Sequence, residues 1–299
     1  MNVAGTLRKF DSWRLRKRLR RFSLMEKISI FILILMSIFL MLPLIYIFNH
    51  AFKPYEELFI YPPNIFVRHP TTQSFLELAS ITKGTAVPIT RYLFNSVIAT
   101  TLGVVAIVIA SAMCAYPISK HKFPGHKFIF ATILLTLLFV PETVSIPRYL
   151  IISQLGIFNT YWAHVLPLVA VPTGVFLMKQ FIDQLPDELL DSARMDGAKE
   201  FTLFLRIVIP VVMPAIMTVS IIAFNSTWLS TEASENFIQD EELKTFQFYV
   251  QTLTSGLANS VSRQGAVAAA ALILFLPNFI MFLAFQSKVI ATMAHSGIK

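Results

Sequence analysis

Between Asp183 and Arg206 nine charged side chains (Asp183, Asp187, Glu188, Asp191, Arg194, Asp196, Lys199, Glu200 and Arg206) interrupt an otherwise apolar chain. The chemistry they offer is ion pairing and charge-assisted hydrogen bonding. Dragging nine charges into hydrocarbon would cost on the order of 25 kcal/mol at roughly 3 kcal/mol each, so this segment stays in water. Nothing around it points to bond chemistry. The sequence has no G-x-x-x-x-G-K-[ST] phosphate loop, no H-E-x-x-H pair, no metal-spaced Cys/His group and no nucleophile–base arrangement. The chain therefore cannot be its own ATP motor, and a membrane-embedded enzyme lacks its catalytic constellation. The single cysteine, Cys114, excludes an intrachain disulfide and reads as a small apolar packing residue.

The charged segment has the marks of a short helix. Pro186 suits a helix start, while Asp187, Glu188 and Asp191 in the first turns and Arg194 near the end complement the helix dipole. Gly197 supplies a left-handed stop. Leu189, Leu190, Ser192 and Ala193 share one small-to-apolar arc, opposite Asp187, Glu188 and Asp191, which suits docking into the groove of another protein. Phe201, Phe204, Leu205 and Val208 follow at helical spacing and lead into the next apolar run. An ordinary surface helix would show the same spacing, so both readings stand at this point.

Composition sets the surroundings. The chain is 55% hydrophobic and 14% charged, with mean hydropathy +0.65 and its apolar residues in blocks, so it is an integral membrane protein. Runs of about 20 residues at 28–48, 95–118, 128–146, 161–178, 207–229 and 267–285 predict six transmembrane helices in an all-α polytopic protein. With the N-terminus inside, 18 of the 25 Lys and Arg residues fall on the inner side, which places both termini and the charged segment in the cytoplasm. The net charge of +8 is then mostly a topology signal, and the Arg14–Arg21 cluster reads as topogenic or lipid-facing rather than as a nucleic-acid site. Residues 28–48 exceed a signal-peptide core and lack a cleavage site after them, so they read as a retained first helix. The predicted organisation is a basic cytoplasmic segment (1–27), a transmembrane domain (28–286) and a cytoplasmic tail (287–299). Its outer loops fall at about 49–91 and 230–264 and its inner charged loop at about 180–206. The first outer loop is expected to be extended and partly ordered, and the second acidic with short helical pieces.

The order Asp191-Ser192-Ala193, Gly197, Ile207-Val208-Ile209-Pro210 resembles the EAA…G…I-x-L-P pattern of the coupling loop in ABC importer permeases. Asp191 stands where Glu is usual, Ser192 for the first Ala and Ile209 for Leu. Phe94-Asn95-Ser96, Ala115-Tyr116-Pro117, Lys122-Phe123-Pro124-Gly125, Ile146-Pro147-Arg148-Tyr149 and Leu155 to Thr160 are similar to the carbohydrate, maltose-transporter-like branch, as is the stretch from Phe285-Gln286 to the end. Residues 228–247 depart from that branch's pattern. The resemblance implies a type I ABC importer permease fold with a cytoplasmic coupling helix, in the inner membrane of a prokaryote, importing a sugar or oligosaccharide. It implies a second homologous permease as heterodimer partner, two ATP-binding subunits that hold ATP-Mg, and an extracytoplasmic solute-binding protein, with no cofactor or metal bound by this chain. The coupling residues carried over are Glu188, Asp191, Ser192, Ala193, Asp196, Gly197, Ala198 and Pro210, with Asp191 pairing with a basic group on the ATPase. The implied force path runs from Asp191, Ser192 and Ala193 through Gly197 to Pro210. The tail residues Gly297, Ile298 and Lys299 are implied to reach the ATPases, with simple fraying as the other reading.

Substrate contacts are expected among polar residues at membrane depth, namely Glu142, Asn225, Trp228 and Asn278. Amide and aromatic groups suit the hydroxyls and CH faces of sugars. Glu142, between Pro141 and Pro147, could instead hydrogen-bond freed backbone groups, and Asn225 and Asn278 could tie helices together. A permease for an amino acid, peptide or phosphonate, and a stand-alone secondary carrier, are the alternatives. A carrier would show inverted repeats or deeply paired ionisable residues, and neither is clear.

Overall fold

The computed structural model describes residues 23–58, 60, 64, 66–81, 87–257 and 264–296, apart from the side chains of 141, 256, 257 and 287–296. Among the described residues it is mostly helical and contains no strand. The helices of eight or more residues are α1 (Leu24–Ala51), α2 (Gln73–Ile81), α3 (Ile89–Lys120), α4 (His126–Thr136), α5 (Ser145–Gln154), α6 (Trp162–Val169), α7 (Pro172–Asp183), α8 (Asp187–Met195), α9 (Met213–Trp228), α10 (Phe246–Leu257) and α11 (Gln264–Ser296).

Among the described residues, four stretches are long and apolar enough to cross a membrane: α1, α3, Met213–Asn236 and Gln264–Gln286. Helices α6 and α7 make a fifth if taken together, bent by 51° at their junction. Proline explains the bend. Pro172 lacks an N–H and excludes the helical region for the residue before it, and Val171 sits at φ −104°, ψ 99°. The predicted run 128–146 is likewise not one helix. Here α4 ends at Thr136, Val140 is extended ahead of Pro141, and a 3₁₀ turn (Pro141–Val144) leads into α5.

Helix α3 is the hub, packing along α7 and α9 and touching α6 and α10, while α9 also holds α11, and α11 holds α1 and α2. Lipid tails are as apolar as leucine, so packing between helices in hydrocarbon favours small residues that let backbones approach. The buried set accordingly includes Ala99, Ala112 and Ala115 of α3, Ala215 and Ala223 of α9, and Ala266, Ala268, Ala269 and Ala270 of α11. Helix α1 is the exception. A Ser23–Glu26 capping box starts it, it is apolar all round, and only Asn49, His50 and Ala51 of its last turn are buried.

The N-terminal end of α3 is closed over by the segment 230–246. Asn95 Nδ2 donates to the carbonyls of Glu242 and Lys244, Ser96 Oγ accepts from Phe246 N–H, and Tyr161 donates to Asn95 Oδ1. Asn159, at φ 59°, accepts at Oδ1 from the amides of Gln239 and Asp240, and Arg148 pairs with Glu232 at 2.5 Å. In the described part of the loop after α1, buried side chains hold the backbone. Lys53 is 2% exposed and donates to Asn64 O, Glu57 caps the amides of Arg68 and His69, and Asn49 Oδ1 accepts from Val67 N–H.

At Gly103 of α3 a Cβ would lie 2.6 Å from Thr227 Cγ2, where α3 packs on α9. Gly103→Ala is therefore expected to destabilise the purified protein by about 1–3 kcal/mol through overpacking. Thr227→Ser removes the clashing methyl, and thermal unfolding of the double variant should return most of that loss.

Candidate functional site

Helix α8 follows α7, lies beside the C-terminal end of α3 through the Lys120–Asp187 pair, and buries one side chain, Leu190, at 1% exposure. Leu190 joins a cluster with Tyr116, Met178, Ile182, Leu185, Phe204 and Val208. Its end is a Schellman turn, in which Gly197 N–H donates to Arg194 O, Ala198 N–H donates to Ala193 O, and Gly197 sits at φ 82°. No atom stands within 4 Å of a Cβ added at Gly197, so backbone conformation alone calls for glycine there.

Beyond the turn, the sequence predicts one helix into the membrane run, and the structure breaks it. A short helix (Glu200–Leu203) passes into a π turn (Phe204–Val208), then into Ile209–Val211, with Val212 leaving helical geometry at ψ 13° before α9. Pro210 and Pro214 each remove a backbone donor, and the wide turn re-registers the helix so that Leu203, Phe204 and Val208 all reach the core.

Side chains tie this segment to α3. Lys120, with its side chain only 7% exposed, donates to Leu185 O at 2.5 Å and pairs with Asp187 Oδ1 at 2.7 Å. Ser119 donates to Asp183 Oδ1, and Lys179 holds the other oxygen of that carboxylate at 2.6 Å. On the other side of α8, Tyr116 donates to Glu200 Oε2 at 2.8 Å, Arg194 Nε reaches Glu200 Oε1 at 3.1 Å, and His121 Nε2 lies 3.4 Å from Glu200. Arg194 also pairs with Asp191 at 2.8 Å. The hydrogen bond and charge of Lys120 hold the Asp187 carboxyl below its ordinary value. The Tyr116 hydroxyl, aided by Arg194, does the same for Glu200.

The residues predicted to couple lie together on this loop. Glu188, Asp191, Ser192, Asp196 and Gly197 are exposed, and Ala193 and Ala198 are half-buried. Ser192 spends its hydroxyl on Glu188 O, and Asp191 is already paired within the chain. Pro210 lies in the broken segment leading to α9. The residues predicted to meet substrate are scattered. Glu142 is exposed on the 3₁₀ turn and its carboxylate makes no hydrogen bond among the described residues. Asn225 is exposed and bonds its own helix at Ile221 O, while Asn278 is half-buried with Oδ1 unpaired among the described residues. Trp228 turns inward, 4% exposed, stacked on Phe224 and donating to Leu274 O, so in this conformation it packs the core and lines no path. Gly297, Ile298, Lys299 and the Arg14–Arg21 cluster lie outside the described residues.

Sequence reading missed Tyr116, Lys120 and Glu200 as parts of the site. Lys120 reads as a topogenic charge, and its carboxylate partner is 67 positions away. The one available signal was a lone basic residue in the last turn of a membrane helix, which also marks almost every such helix. Among the described residues no group of three or more His, Cys, Asp or Glu could hold a metal ion.

Comparison with known proteins follows the same lines. The family model for the binding-protein-dependent transport system inner membrane component matches residues 12–287. The chain is 32% identical over 213 residues to the probable ABC transporter permease protein YurM of Bacillus subtilis (strain 168), covering 71% of this chain and 70% of that protein. It is 28% identical to the arabinooligosaccharides transport system permease protein AraQ of the same organism, over 91% of this chain and 97% of that one. The melibiose/raffinose/stachyose import permease protein MelC, also from that organism, is 31% identical over 69% of this chain and 74% of its own. In fold, it is similar to a chain in the crystal structure of a bacterial ABC transporter involved in import of the acidic polysaccharide alginate. That match has TM-score 0.75 at 21% identity, over 89% of this chain and 98% of the other.

The lowered carboxyls set a pH window for the loop. Their pairing is fully present above the ordinary values of 3.8 for Asp187 and 4.5 for Glu200, and is lost as pH falls through their lower folded values. A spin label at Met195→Cys, on a Cys114→Ser background, should keep the same mobility from about pH 8 to 5 and loosen only below about pH 4. In Asp187→Asn the label should be looser across the whole range.

Proposed function

Because the chain belongs to the family of binding-protein-dependent transport system inner membrane components, we propose that it is a permease subunit of an ATP-driven importer of a sugar or oligosaccharide. The relatives named for arabinooligosaccharides and for melibiose, raffinose and stachyose support the substrate class. The observation that carries the mechanism is α8 with its Gly197 turn: a charged helix with one buried side chain, projecting from a bundle of apolar helices.

In this reading the bundle crosses the membrane six times. The passages are α1, α3, the pair α4 and α5 joined through the 3₁₀ turn, the bent pair α6 and α7, α9 with its flanking turns, and α11. Both termini and α8 face the cytoplasm, in keeping with the distribution of Lys and Arg. The chain pairs with a second, homologous permease, and each docks its coupling helix into a cleft of one of two ATPase subunits, which hold ATP-Mg. Glu188, Asp191, Ser192, Ala193, Asp196, Gly197 and Ala198 form this chain's docking face. A solute-binding protein delivers sugar at the opposite face, and closure of the ATPases rocks the spans between inward-open and outward-open states. The exposed polar groups Glu142 and Asn225, with Asn278, line the passage between the two permeases.

The test is reconstitution with the partner permease, the ATPases and the binding protein in proteoliposomes. ATP-dependent sugar uptake is expected only from the complete set, and uptake by this chain alone would contradict the proposal. Gly197→Pro imposes a φ of about −65° where +82° is required, and Ala193→Trp enlarges the docking face. Each should lower binding-protein-stimulated ATP hydrolysis at least tenfold, a loss of roughly 1.4 kcal/mol or more of coupling.

A further inference from the structure

Work delivered to α8 has two routes into the bundle. The chain route passes Gly197 at φ 82°, the π turn Phe204–Val208, Pro210 and the break at Val212 before it reaches α9. Each of these is a place where backbone hydrogen bonding is interrupted or rearranged, so each yields under load. The side-chain route is shorter. At the start of α8, Lys120 grips both Asp187 and the Leu185 carbonyl. At its end, Arg194 holds Glu200, and Glu200 is held by Tyr116. Both grips land on the same 32-residue helix, α3. Pro117 removes a single backbone bond from this helix, the one its N–H would make to the Met113 carbonyl, whereas the chain route is interrupted at several points.

Two elastic elements joining the same bodies share load in proportion to their stiffness. The stiffer one carries more. We propose that Tyr116, Lys120 and Glu200 form a two-point clamp that makes α3, rather than the Pro210 segment and α9, the main carrier of force from the coupling helix. These are positioning residues: they touch neither nucleotide nor solute, and they set the direction in which α8 can push. The central place of α3 fits this role, because a displacement of α3 moves α6, α7, α9 and α10, all of which pack on it. The burial of Lys120 fits it as well. A lysine that served only to mark topology would leave its ammonium in water, whereas this side chain is 7% exposed and aimed at two acceptors on the loop.

This inference rests on the importer reading, and one experiment separates the two. In proteoliposomes holding the complete transporter, solute uptake and ATP hydrolysis are measured on the same vesicles. Tyr116→Phe, which removes a single oxygen, and Lys120→Met should each keep ATP hydrolysis running while lowering solute moved per ATP by about two- to thirty-fold. Lys120→Arg should restore the ratio. If the Tyr116→Phe/Lys120→Met double variant assembles and keeps the wild-type ratio, the clamp carries no force and the inference falls while the importer reading stands. Should Lys120→Met fail to assemble, Tyr116→Phe alone decides, an unchanged ratio overturning the clamp. If the wild-type complex shows no ATP-dependent uptake, the importer reading itself fails and takes the clamp with it.

Discussion

Charge is expensive in hydrocarbon, and most of the architecture follows from where this chain puts its polar groups. Helix α3 shows the solution in one element. Its middle is sealed by small residues, with Gly103 against Thr227 and Ser111 against Gly174, while polar side chains gather at its two ends. At one end Asn95 and Ser96 fasten the segment 230–246. At the other, Tyr116 and Lys120 fasten the charged loop. Asn95 and Lys120 lie about 37 Å apart along this helix, and Ser96 and Tyr116 about 30 Å, a separation that matches a bilayer core of about 30 Å.

The charged loop is held by geometry more than by energy. One leucine anchors it, and exposed ion pairs are individually weak because water and salt screen them. A loop held this way can still be stiff, since its two grips stand one turn apart on the same face of α3 and hold the two ends of α8. In the importer reading, the stability of the bundle and the transmission of motion thus come from different interactions. Close packing of small residues keeps the helices together, and a few directed hydrogen bonds decide which helix follows α8. In the proposed importer this separation is what lets α8 be pushed without the core coming apart.

Much of this was legible in the sequence, and the limits have physical causes. Gly197 was readable because only a left-handed residue ends a helix in this way, and the observed Schellman turn uses it as such. The apolar runs were readable from length and composition, yet residues 128–146 and 161–178 turned out to be broken. The breaking signals were present in Pro141 and Pro172, but proline inside a membrane helix is common enough that hydropathy outweighed it. The hold on the loop after α1 was hidden because it depends on buried Lys53 and Glu57 bonding to backbone groups up to 12 residues away. Trp228 looked like a sugar platform and is a packing residue, since nothing in composition reveals the side to which an aromatic ring turns. The Tyr116–Glu200 and Lys120–Asp187 contacts link positions 84 and 67 apart, beyond the reach of any local pattern.

In the importer reading the charged helix lies in water on the cytoplasmic side, fixed to the end of α3. Met195, at the end of α8, is 89% exposed and suits a direct probe. A Met195→Cys variant lacking Cys114 can be treated with a membrane-impermeant thiol reagent in right-side-out and in inverted vesicles. Labelling in inverted vesicles alone is the predicted result. Labelling from the outer face, or protection in both preparations until detergent is added, would contradict it.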